Sequence, residues 1–150
     1  LESNLQLIRN KLIGPDSRWP RPLAFPENAG WNNLLLPKNE KPSQLVAELA
    51  PAGDEIVVTK TTDSALTGTN LRLILHNLGI RNVICAGIFT DQCVSSTVRS
   101  LADESYNVVV VEDCCAAGSD ELHHKELEII NMIYCHVLSS RELKTMMRLE

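Results

Sequence analysis

From Glu55 to the end of the chain, short apolar runs alternate with longer stretches whose leucines, valines and isoleucines recur at helical spacing. The runs Glu55-Ile-Val-Val-Thr59, Asn82-Val-Ile-Cys-Ala-Gly87 and Asn107-Val-Val-Val-Val-Glu112 are apolar at successive positions, so both faces of each strand must be covered. Thr69 opens a helix that turns Leu71, Leu75 and Leu78 to one side and stops at Gly79. The spacing predicts a helix over 91–104 with Val94, Val98, Leu101 and Ala102 inward. It predicts another over 119–133 with Leu122, Leu127, Ile130 and Ile133 inward. A short strand near Cys135–Leu138 and a helix near 140–147 close the pattern. Strands that are apolar on both faces and alternate with helices specify the α/β class, a doubly wound parallel sheet with helices on both faces. Such a sheet binds ligands at the carboxyl ends of its strands, which here are the loops Lys60–Thr69, Ile88–Cys93 and Asp113–Ser119.

The first third of the chain has a different texture. All seven prolines fall at or before Pro51, and Trp19, Phe25 and Trp31 lie among them. Proline breaks helices and removes ladder donors, so residues 14–42 read as an ordered, irregular excursion. Ahead of it Leu1, Leu5, Ile8 and Leu12 predict a short amphipathic helix over 3–13, and behind it Ser43 caps a short helix through Leu49. A length of 150 residues suits a single domain, with 1–42 as an irregular lid segment and 43–150 as the α/β core. Lysines and arginines number 14 against 19 acidic residues, a net charge of −5 that argues against a nucleic-acid partner. The longest apolar runs, such as Val108 to Val111, are too short to span a bilayer, and the first ten residues do not read as a signal peptide. The expectation is a cytoplasmic protein with neither membrane nor nucleic-acid partner.

Five cysteines, at 85, 93, 114, 115 and 135, form no Cys-x-x-Cys pair and suit free thiols in a reducing compartment better than disulfides or zinc. Cys93 stands apart. It follows a strand and the Gly87 turn and sits in the first turn of the 91–104 helix, where unpaired N–H groups and the helix dipole favour a thiolate and can receive an oxyanion. Lys60 follows the Ile56–Thr59 run and should emerge at the same carboxyl-end edge, where a cation promotes a thiolate. Taken singly, Cys93 also reads as a buried structural thiol and Lys60 as a solvated loop lysine. The histidines at 76, 123, 124 and 136 have no metal-ligand spacing, and no glycine-rich phosphate loop occurs, so neither metal nor cofactor is expected.

Residues 55–119 resemble the isochorismatase-like cysteine hydrolases. The likeness rests on Ile56-Val-Val-Thr-Lys60, on Ser64-Ala-Leu-Thr-Gly-Thr-Asn-Leu71, on Ala86-Gly-Ile-Phe-Thr-Asp-Gln-Cys-Val94 and on Val111-Glu-Asp-Cys-Cys-Ala-Ala-Gly118. It covers roughly residues 43–147, and only loosely the proline-rich start. The block Thr90-Asp-Gln-Cys-Val-Ser-Ser-Thr-Val-Arg99 is most similar to ureido-type amidohydrolases that act on biuret-like compounds. The resemblance implies an Asp-Lys-Cys triad with Cys93 as nucleophile and Lys60 as its cation. It also implies a cis peptide at Ile88–Phe89, an oxyanion hole from the backbone N–H groups of Phe89 and Cys93, and a homodimer or homotetramer. Family members that cleave a vinyl ether lack the cysteine, so Cys93 points to C–N hydrolysis. Nicotinamidase-like members carry metal ligands upstream of the lysine, and no histidine precedes His76 here.

The triad aspartate of the family ends a first apolar strand. In this chain the only aspartate before Asp54 is Asp16, in a Gly-Pro-Asp loop with no such strand before it. The expectation is therefore an N-terminally incomplete isochorismatase-like sheet. Two main functions compete: an amidohydrolase that cleaves a small ureido or amide substrate through a thioester, and a non-catalytic scaffold of the same fold. A redox-sensing thiol protein, with Cys85 or Cys114 resolving Cys93, ranks third.

Overall fold

A computed structural model describes residues 44–60 and 62–148. The helix expected over 3–13, the segment 14–42, Asp16 and the cap Ser43 lie outside the described residues. The chain divides into two compact units, residues 1–62 and 63–150.

In the first unit, the short helix expected through Leu49 is a single 3₁₀ turn, Ala47–Leu49. The strand expected over Glu55–Thr59 does not form. A run becomes a strand only when its N–H and C=O groups meet a partner ladder, and this run joins none of the described strands. Ile56 and Val57 are exposed rather than buried on both faces.

The second unit follows the predicted alternation. Its elements are α1 (Leu71–Asn77), β1 (Asn82–Ile88), α2 (Ser95–Asp103), β2 (Asn107–Ala116), α3 (Asp120–Ile133), β3 (His136–Leu138) and α4 (Ser140–Met147). Three parallel strands lie in the order β1-β2-β3. Four strands were expected; the described sheet has three.

Local signals set most boundaries. Helix α1 ends in a Schellman motif: the Gly79 N–H donates to the His76 carbonyl and the Ile80 N–H to the Leu75 carbonyl, with Gly79 at φ 66°. Ser119 caps α3 by accepting from the Leu122 N–H. Ser139 and Glu142 form a reciprocal capping box on α4. Strand β2 runs to Ala116, beyond the expected Glu112, because its far end pairs again with β1 after a register shift, Gly87 opposite Cys115 and Ile88 opposite Ala116.

Adjacent residues of a strand face opposite sides of the sheet, and Val110 and Val111 are both buried, so β2 is covered on both faces as a doubly wound sheet requires. Strand β1 instead alternates between half-buried and exposed residues, with Ile84 and Ile88 in solvent. Val94, Val98 and Leu101 pack with Val108, Val110, Leu127, Ile130, Cys135 and Leu66 into one core. Each large aliphatic chain buried there contributes about 1.5–3 kcal/mol. The inward faces expected of the helices hold only in part, since Leu78, Leu122 and Ile133 are exposed. Among the described residues, no helix is long and apolar enough to cross a membrane.

Candidate active site

The carboxyl end of β1 organises the site. Gly87 takes φ 135°, a conformation that side-chain-bearing residues avoid, and the following Ile88–Phe89 peptide is cis. The chain then enters a π-helical turn, Thr90–Val94, rather than the α-helix expected from residue 91. The Phe89 carbonyl accepts from both the Gln92 and the Val94 N–H at 3.1 Å, and the wider ring of the second bond makes the turn π rather than α. Helix α2 continues from Ser95.

Cys93 lies in this turn, buried, at the start of the helical run and at the carboxyl end of the sheet. Its thiol donates to Asp63 Oδ1 across 3.8 Å. Asp63 carries no signal in the sequence, because a single polar residue in a loop has no periodicity to mark it. Its position is nonetheless built. Ser64 is buried and its hydroxyl donates to Ser100 Oγ at 2.9 Å. The Ala65 N–H donates to Thr97 Oγ1 at 3.0 Å, and that same hydroxyl donates to the Cys93 carbonyl at 2.7 Å. Leu66, 1% exposed, wedges into the core beside them. Thr97 thus joins the Asp63 loop directly to the backbone of the candidate nucleophile.

Behind the turn, α3 holds it in place. Thr90 is fully buried, with Oγ1 2.8 Å from His123 Nδ1. Ser95 donates to Glu126, which also pairs with Arg99 at 2.7 Å, and the Arg99 guanidinium lies over the Tyr134 ring at 5.0 Å. Asp91 Oδ1 is buried without a hydrogen-bond partner among the described residues.

Lys60 belongs to the first unit. It is buried, and its ammonium donates to the Thr62 carbonyl at 2.8 Å, so it is not the solvated lysine of the simpler reading. All five cysteines are free thiols. Burial pushes the Cys85 thiol up to about 12 and the Cys135 thiol up to about 11, and it raises Cys115 as well. These three are held protonated near neutral pH. Among the described residues, no cluster of three or more His, Cys, Asp or Glu side chains is placed to hold a metal ion.

A separate surface cleft is lined by Arg72, His76, Arg81, Glu104, Ser105 and Tyr106. Arg81 and Tyr106 directly precede β1 and β2, so this cleft lies at the amino ends of the strands, away from Cys93. Its Arg72 guanidinium is engaged by Glu104.

The isochorismatase domain family matches residues 16–142. The uncharacterized isochorismatase family protein YecD of Escherichia coli O157:H7 is 31% identical over 132 residues, 88% of this chain and 68% of that protein. The ureidoacrylate amidohydrolase RutB of Acinetobacter baylyi is 35% identical over 101 residues, 67% of this chain and 41% of that protein. Among solved structures, an isochorismatase-like hydrolase from Alkaliphilus metalliredigens superposes with a TM-score of 0.68 at 30% identity, covering 70% of this chain and 57% of that one. N-carbamoylsarcosine amidase from Thermoplasma acidophilum gives 0.62 at 30% identity, covering 68% and 58%. The chain therefore spans little more than half the length of either solved relative. On the match across most of its length, the chain belongs to the isochorismatase family of hydrolases.

Proposed function

We propose that this chain carries the nucleophile of a cysteine amidohydrolase that cleaves the C–N bond of a small, biuret-like ureido or linear amide substrate. The observation that supports it best is the buried Cys93 thiol at the carboxyl end of β1, in the first helical turn, with a carboxylate beside its sulfur. In this reading the Cys93 sulfur attacks the carbonyl carbon, and a C–S bond forms as the carbonyl π pair moves to oxygen. The tetrahedral oxyanion is received by the backbone N–H groups of Phe89 and Cys93. The C–N bond then breaks, and the nitrogen leaves as ammonia or an amine with the proton that the thiol gave up. Water hydrolyses the thioester and restores the thiol. Family likeness gives Lys60 the part of the cation that favours the thiolate. It also supports a homodimer or homotetramer, and the free-thiol cysteine usage supports a cytoplasmic setting.

The test is release of ammonia from a panel of neutral ureas and primary amides by the native protein and by Cys93→Ser. Turnover of a ureido compound that falls to background in Cys93→Ser is the expected result. A folded native protein that releases no ammonia from any of them favours the scaffold instead.

A further inference from the structure

Asp63 stands closer to the Cys93 sulfur than any role assigned above requires. A carbon under attack by that sulfur sits about 3–3.5 Å from it. A carboxylate oxygen 3.8 Å from the same sulfur reaches a substituent on that carbon when the two lie on the same side of the sulfur. An ionised carboxylate accepts hydrogen bonds and donates none, so it receives N–H groups and repels anions. The residue is half-buried, which strengthens both effects relative to open solvent. Its loop is fixed by Ser64 on Ser100, by Ala65 on Thr97 and by Leu66 in the core.

We propose that Asp63 determines the specificity of the Cys93 site, binding the N–H groups borne by the acyl carbon and excluding acyl groups with a carboxylate beside the reacting carbon. This rests on Cys93 being the nucleophile, and it narrows the substrate class to neutral, N–H-rich ureas and primary amides.

The experiment is alkylation of the native protein by iodoacetamide and by iodoacetate at neutral pH, read site by site by peptide mapping. The two reagents deliver nearly the same group to sulfur, one neutral with an amide N–H, the other anionic. The quantity read is the ratio of the two rates at Cys93, with exposed Cys114 as the reference in the same molecule. The ratio removes any general change in thiol reactivity, which moves both rates together. In the native protein Cys93 should favour iodoacetamide about tenfold more than Cys114 does. In Asp63→Asn, and in Asp63→Ser should the first variant fold poorly, that preference should fall to within about twofold of Cys114, while Cys114 itself stays unchanged. A reactive Cys93 whose preference survives both substitutions overturns the role of Asp63 and leaves the nucleophile standing. A Cys93 inert to both reagents in every variant removes the nucleophile, and its selectivity with it.

Discussion

Thr97 performs two tasks with one hydroxyl: it donates to the Cys93 carbonyl and accepts from the Ala65 N–H. Replacing it with valine keeps the shape and removes both bonds, taking away the acceptor of the half-buried Ala65 N–H. Thr97→Val should therefore cost about 1–3 kcal/mol in urea unfolding, with no change in the slope against denaturant. Thr97→Ser keeps the hydroxyl and should recover most of that loss. Thr97→Val also loosens the loop that places Asp63, so the reagent preference at Cys93 should weaken along with stability. Neither Thr97 nor Asp63 is legible in the sequence. Cys93 is, because a strand, a glycine turn and a helix start in succession form a pattern that a lone hydroxyl or carboxylate does not.

Elements were legible where their ends carry chemistry. Gly79 closes α1, and Ser119 and Ser139 open α3 and α4, at or within a residue of the expected bounds. The Glu55–Thr59 run could not be judged the same way, since a strand is completed by a neighbour and the apolar run alone does not specify one. The π turn at Thr90–Val94 escaped for a related reason: one wider hydrogen-bonded ring leaves the hydrophobic period of the following helix unchanged. Helix α4 carries a pH-dependent attachment. Asp113 accepts from the Ser140 hydroxyl and N–H, and Glu142 accepts from the Ser139 hydroxyl and N–H; these bonds hold both carboxyls below their usual range. A carboxyl whose folded pKa is depressed stabilises the fold above its unfolded value and loses that contribution as pH falls through the folded one. Thermal melts should therefore show Asp113→Asn less stable than the native protein at neutral pH, with the gap closing below about pH 4. A gap that stays constant to acid pH would contradict the assignment.

At the scale of the molecule, the second unit rests on one cluster that joins α2, α3, β2 and the Leu66 loop. Ile130 is fully buried at its centre, so Ile130→Ala should destabilise the protein by about 2–5 kcal/mol in denaturant titration. Met132, two residues on, is 78% exposed, and Met132→Ala should change stability by no more than about 0.5 kcal/mol. This core holds the turn that bears Cys93 at the carboxyl end of the sheet, where the alternation of strands and helices first placed it. In the proposed reaction Cys93 forms a covalent acyl intermediate. Acid quenching of the native protein during turnover of a neutral ureido substrate, followed by mass mapping of the cysteine peptides, tests it most directly. An acyl adduct on the Cys93 peptide alone, absent from Cys93→Ser, is the expected result. Ammonia released at the same rate by Cys93→Ser, or an adduct carried by Cys114 instead, would contradict it.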